Sequence, residues 1–276
     1  MKKLKFEYRM ELKFSSQVTG HYFSLRCVPQ DSPRQKIRLE KEQIAPADYI
    51  VSAGDGFGNK KISGCCSGPH DYFGYYIAGT AFIEKGGWQK SGLHPMYRYP
   101  SKYTGLEKEV SAFAEAVLQE CRNKYAETDL EKAVCAMDYL YSHFQYAPGV
   151  TDTGTTAEEA LRLGKGVCQD YAHIMIAAMR YMGIPARYVN GLMIGEGCSH
   201  AWTEVYADGG WYGLDPTNDR LVDDYYIKLA HGRDYGDCMI DQGRFLGNVS
   251  QKQDIYVKVE EITDDRNSCV NGTAGG

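Results

Sequence analysis

A change of hydrophobic period near residue 104 constrains this chain more than any other feature. Leu4, Phe6, Tyr8, Met10, Leu12 and Phe14 occupy alternate positions, with Lys5, Glu7, Arg9, Glu11 and Lys13 between them. A period of two buries one face and wets the other, so this stretch is a half-buried strand. HYFSLRCV (21–28), KIRLEKEQI (36–44) and DYIVSA (48–53) read as further strands, and YFGYYIAGTAFIE (72–84) as one or two more. Turn signals such as PQDSP, AGDGFGN and SGCCSGPHD separate them. No helical period of useful length precedes residue 104.

A stretch rich in Gly, Pro and aromatics (86–103) marks the link between domains, and the period then becomes helical. Leu106, Val110, Phe113, Val117 and Cys121 recur at spacings of three and four. A second helix begins near Asp129, with Leu130, Val134, Met137, Leu140 and Phe144 along one stripe. A short third helix lies in TTAEEALRLGKG (155–166), where Thr155 and Thr156 each have a Glu at capping-box spacing. A fourth runs from about Val167 to Met182 and stops at Gly183, with Pro185 beyond. Three strand candidates follow, at 186–194, 199–207 and 210–217. Helices followed by antiparallel strands predict an α+β core behind an all-β, sandwich-like N-terminal domain. The expected division is 1–90 β-rich domain, 91–104 linker, 105–263 core and 264–276 flexible tail.

Composition narrows the function class. The formal net charge is −5 over 276 residues and the basic residues form no stripe, so neither nucleic acid nor a membrane surface is an expected partner. The N-terminus starts basic, but charges interrupt it before any apolar run forms, so a cytoplasmic location with reduced thiols is expected. Nine cysteines, without any CxxC, predict neither a disulfide framework nor a zinc ribbon.

The chemistry centres on GVCQDYAH (166–173). Cys168 stands at a predicted helix N-terminus, where the dipole and free N–H groups favour a thiolate. Asp208-Gly209 predicts a two-residue turn. That register sets Tyr206 opposite Trp211, Glu204 opposite Gly213 and Trp202 opposite Asp215. His200 and Asp215 then share one face as diagonal neighbours, roughly 7–8 Å apart between backbones. Cysteine, histidine and aspartate together make an acyl-transfer set. For any single cysteine at a helix start, simple burial is the commoner role.

The joint pattern resembles the transglutaminase-like superfamily of cysteine enzymes. GKGVCQDYAHIMIAAMRYMGIPARYVNG (164–191), SHAWTEVY (199–206) and WYGLDPTND (211–219) carry the resemblance over about residues 105–235, with AHGRDYGD (230–237) behind them. HYFSLRCVP and DGFGN in the first eighty-odd residues are similar to the β-rich N-terminal domain of bacterial members. The resemblance implies a papain-like layout, with Cys168 as nucleophile, His200 as base and Asp215 as orienting acid. It further implies a cysteine protease or amidase that hydrolyses a peptide or amide bond through a thioester, with a protein or peptide as substrate. Amine transfer to glutamine, and a non-catalytic peptide-binding module in the same cleft, are the alternatives.

Animal members place a Trp near the oxyanion, and no Trp lies between Trp88 and Trp202 here. Tyr146 is the candidate polar group in its stead. Gln169 is a candidate substrate contact and Trp202 a candidate cleft wall. Asp170 is assigned to the helix dipole, and His173, five positions past Cys168, to structure. Cys198, His200 and Cys168 lack the paired spacings of a zinc site. No metal and no cofactor is expected, and the sequence sets no oligomeric state.

Overall fold

The computed structural model describes residues 1–263, and the expected tail at 264–276 lies outside them. The chain opens with β1 (Lys2–Leu25), β2 (Gln35–Ala45), β3 (Tyr49–Gly54), β4 (Lys60–Cys66) and β5 (His70–Ile83). β1 is one continuous strand where the sequence reads as two, because its backbone changes partners instead of ending. Its first half, through Lys13, pairs with β5, and residues His21–Leu25 pair with β4. The register shifts between Lys13 and Val18, where the strand passes from one sheet to the other. Leu4, Phe6, Tyr8 and Met10 turn inward as their period requires. The sheets meet across Phe23 and Phe73, whose ring centroids are 4.7 Å apart.

The core follows: β6 (Trp88–Lys90), α1 (Lys108–Asn123), α2 (Asp129–His143), β7 (Gln145–Tyr146), α3 (Ala157–Leu163), β8 (Lys165–Gly166) and α4 (Cys168–Tyr181). β9 (Ala186–Met193), β10 (Gly195–Gly197), β11 (His200–Ala207), β12 (Gly210–Asp215), β13 (Arg220–Leu221) and β14 (Tyr226–Gly232) come next. The core sheet runs β13–β12–β11–β9–β14, with β6 added to β12. Thr128 and Thr156 form capping boxes that start α2 and α3. α2 is rotated from the expected stripe. Ala133, Ala136, Met137 and Leu140 are buried while Val134 is 37% exposed. Small alanines let the helix approach its neighbours closely, a preference that a size-weighted reading of the stripe misses. α4 is buried from Tyr171 to Arg180 and forms the centre of the core.

The chain then returns to the first sandwich. β15 (Asp241–Leu246) and β16 (Gln251–Glu261) both pair with β1, and β10 pairs with β16. The expected 105–263 core takes in these residues, whereas their strands pair with β1; a period of two is the same whichever sheet a strand joins. The outer edge of β14 is closed by side-chain amides. Gln35 accepts from the Lys228 N–H at 2.9 Å and donates to its carbonyl at 2.8 Å. Asn59 does the same at His231, at 2.9 and 2.8 Å. Two amides thus replace a neighbouring strand.

Candidate active site

Cys168 is the first residue of α4 and is partly buried against the helical core. The turn ahead of it is tied from within the helix. Asp170 Oδ2 accepts from the Val167 N–H and from the Thr151 hydroxyl, each at 2.7 Å. Gly166 permits this approach: a Cβ there would lie 2.4 Å from that oxygen. β7 and β8 pair in parallel immediately upstream, Tyr146 opposite Gly166, which brings Tyr146 beside the thiol. Tyr146 is half-exposed, and its hydroxyl is raised above its usual range by burial and by the nearby Cys168 and Cys198.

The β11–β12 hairpin supplies the other two groups in the register expected from its turn. Tyr206 pairs with Trp211 and Glu204 with Gly213, while Asp208 and Gly209 take φ of 50° and 75°. His200 Nε2 lies 2.7 Å from Asp215 Oδ2, and Cys168 is near enough to His200 to act on its pKa. Thr203, on the opposite face of β11, donates to the Ala172 carbonyl at 3.3 Å and so docks the strand on α4. Gly191 faces His200 across β9, and Trp202 lies over it: a Cβ at Gly191 would be 2.3 Å from the indole.

Electrostatics favours a charged histidine. Burial alone lowers the His200 pKa, but hydrogen bonds and charge from Asp215 and Cys168 outweigh it and push it up to about 10. Burial likewise acts to raise Asp215, yet His200, Asn218 and Tyr226 hold it below the usual carboxylate range. Asn218 Nδ2 donates to Asp215 Oδ2 at 2.7 Å, and the Tyr226 hydroxyl donates to the same oxygen at 2.8 Å. The backbone N–H of Thr217 reaches Oδ1 at 3.1 Å. A carboxylate fixed by this many donors can orient an imidazole and hold its positive charge.

The structure therefore brings Cys168, His200, Asp215 and Tyr146 together. Trp202 is buried behind His200, with centroids 6.4 Å apart. Gln169 is turned toward the neighbouring loop, donating to the Thr153 carbonyl at 3.4 Å. His173 is fully buried, stacks on Tyr103 and accepts from the Tyr235 N–H. Asp170 does more than complement a dipole, since it holds the turn that presents the thiol. Asn218 was within reach of the sequence, three residues past Asp215 in a turn. Tyr226 had no local signal: β11 and β9 separate its strand from β12. Among the described residues, no group of three or more His, Cys, Asp or Glu side chains is placed to hold a metal ion.

Residues 111–216 match the model of the transglutaminase-like superfamily, and residues 4–81 match the bacterial transglutaminase-like N-terminal region. An uncharacterized protein of Mycobacterium tuberculosis (strain ATCC 25618 / H37Rv) is 30% identical, covering 92% of this chain and 91% of its own. The chain belongs to the transglutaminase-like superfamily. Its fold is that of a candidate cysteine protease from Cytophaga hutchinsonii, with a TM-score of 0.78 over 96% of this chain and 92% of that one, at 22% identity. A more distant match is the periplasmic domain of TgpA from Pseudomonas aeruginosa, with a TM-score of 0.38 over 76% and 87% of the two chains, at 17% identity.

The cytoplasmic location expected above is withdrawn; the matched TgpA domain is, by its own description, periplasmic. Neither observation behind the expectation reports a compartment. The first residues form β1, so their charges are the wet face of a strand. The eight described cysteines are free, and six of them are buried, where thiols are sheltered from the surrounding redox conditions. No helix among the described residues is long and apolar enough to cross a membrane.

Proposed function

We propose that the chain is a cysteine-dependent acyl-transfer enzyme that hydrolyses a peptide or amide bond, with Cys168, His200 and Asp215 as its catalytic residues. The observation that carries this reading is the 2.7 Å contact of His200 Nε2 with Asp215 Oδ2, with Cys168 close enough to His200 to act on its charge. The Cys168 sulfur attacks the carbonyl carbon, and the carbonyl oxygen takes up the negative charge. The Cys168 N–H at the start of α4 stabilises that charge, and the Tyr146 hydroxyl takes the second donor role. His200 then gives its proton to the leaving nitrogen, the C–N bond breaks, and a thioester remains. A water molecule, deprotonated by His200, attacks the thioester. The acid leaves and the thiol is restored.

Nothing in this sequence of steps calls for a metal or an organic cofactor. Mass spectrometry after brief treatment with iodoacetamide tests the reading. Cys168 is expected to be modified ahead of the other thiols near neutral pH, and His200→Ala to slow it. Equal labelling of all exposed thiols, or an unchanged rate in the variant, would overturn it. Release of a free acid from a peptide amide, without incorporation of a labelled amine, distinguishes hydrolysis from transfer.

A further inference from the structure

A cavity of about 210 Å³ lies where the N-terminal sandwich meets the core sheet, and the proposed chemistry does not use it. The core contributes Arg187 from β9 and Lys228 and His231 from β14. The facing wall comes from the stretches 30–35 and 57–59, which Gln35 and Asn59 fasten to β14.

Charge on the core wall does not cancel. Arg187 Nε donates to Glu204 Oε2 at 2.6 Å, and Lys228 Nζ meets both Glu204 oxygens, at 3.0 and 2.7 Å. Two cations thus share one carboxylate, and one positive charge is left over. Asp55, behind Asn59, is already paired with Arg26 at 2.8 Å. Arg34 is set against Asp223, Asp224 and Glu84 as well as Glu204. His231 adds no charge, because burial first, and then Lys228 and Arg187, hold its imidazole far below its usual range.

The donors around this surplus charge are open. Lys228 keeps a third N–H beyond the two that Glu204 takes, and its side chain is 18% exposed. The His231 ring, the Gln89 amide and the Ser91 hydroxyl line the cavity, and all three remain open to solvent. Ser32 Oγ accepts from the Gln35 N–H at 3.2 Å and has its own hydrogen left to give. Phe57 and Leu229 supply the apolar part of the lining.

We propose that this cavity binds the carboxylate of a small organic acid, with an oxygen at the Lys228 ammonium and the carbon stem against Phe57 and Leu229. A cation would add to a wall that already carries surplus positive charge. A dianion such as sulfate would turn the surplus into an equal deficit. A neutral amide would leave the surplus uncompensated. Chloride would leave most of the volume unfilled. The volume suits about eight non-hydrogen atoms, since an apolar cavity of about 150 Å³ holds benzene. The site stands apart from the thiol: Glu204 and His200 lie on one face of β11, about 13 Å apart, with the buried Trp202 between them. It does not depend on the catalytic reading.

Lys228 makes the binding depend on pH. Burial, and then repulsion from Arg187, lower its ammonium to about 8, against Glu204 and Cys238, which raise it. With His231 these are the titratable and charged groups that face it. Raising the pH through about 8 removes the surplus charge and should weaken the binding of an anion.

Isothermal titration calorimetry on the full chain at neutral pH, with sodium butyrate in a zwitterionic buffer, is the test. Saturable binding with a Kd on the order of 1 mM is expected for so small a ligand. Butyramide, the neutral isostere, should bind at least about tenfold more weakly, and Lys228→Met should lose at least about tenfold in affinity for butyrate. That variant leaves Glu204 paired with Arg187, so no charge is stranded. Ser91→Phe keeps every charge but fills the cavity, and should also lose binding. A parallel titration with Nα-acetyl-glutamate methylamide separates the two sources of the group. Binding equal to that of butyrate assigns the site to a carboxylate borne by another protein, and weaker binding assigns it to a free acid. Absence of saturable heat to about 50 mM butyrate, equal binding of butyramide, or full affinity in folded Lys228→Met or Ser91→Phe would overturn the proposal.

Discussion

The Tyr226 hydroxyl donates at 2.8 Å to the Asp215 oxygen that also meets His200 Nε2 at 2.7 Å. Tyr226 is buried, and it reaches Asp215 from the far edge strand of the core sheet. It therefore ties the carboxylate to a part of the sheet that the β11–β12 hairpin alone does not control. Tyr226→Phe removes a buried hydrogen bond to a charged group, worth about 1.5–3 kcal/mol. With one donor fewer, Asp215 becomes easier to protonate. The acid limb of the Cys168 alkylation profile should move to higher pH, and urea denaturation should show the loss of stability.

The His200 shift makes a separate statement about pH. Its folded pKa, about 10, lies above the reference of 6.5. The stability it contributes is fully present below about 6.5 and is lost as the pH rises through about 10. Wild-type protein should thus lose stability across that window. His200→Gln, which has no proton to lose, should lose less. Urea midpoints measured for both proteins through the window check the difference.

Glu204 is clasped on the same strand by two cations. Arg187 Nε donates to it at 2.6 Å and Lys228 Nζ at 2.7 Å. Burial acts to raise its pKa, but the charges of Arg187 and Lys228 dominate and hold the carboxyl well below its usual range. Glu204→Gln would leave two largely buried cations facing each other. A loss of about 3–5 kcal/mol is expected from removing one partner of a buried pair. Chemical denaturation near neutral pH measures it. The wild-type contribution should persist there, since a depressed carboxylate loses it only as the pH falls well below 4.5.

The turn before Cys168 can be disturbed from either side. Asp170→Ala strands the Val167 N–H and the Thr151 hydroxyl that now reach Asp170 at 2.7 Å. Loss of a cap of this kind costs about 1–2 kcal/mol. Gly166→Ala forces a methyl group to within 2.4 Å of the same carboxylate, so one of the two must move. Both variants should remain folded by circular dichroism and should show slower alkylation of Cys168 than of a surface thiol such as Cys198.

Much of the local architecture was legible before any tertiary contact was known. The capping-box spacing at Thr156 announced a helix start, and Asp208-Gly209 announced a turn whose register brings His200 and Asp215 to one face. Such features depend on residues a few positions apart. The exposed Val134, the continuous β1 and the Tyr226 donor to Asp215 were not legible, since each depends on what packs against the residue.

What the sequence determined by itself is therefore the set of local elements and the chemical types carried on them. Backbone periodicity, caps and turn residues act within a single stretch of chain, so their physics is complete there. Only the tertiary structure decided that Tyr226 reaches Asp215 across two strands and that β15 and β16 return to β1. A strand's alternation does not name its partner, and a side chain's charge does not say what will be buried around it. Those outcomes are set when distant segments compete for the same edges and the same interior volume.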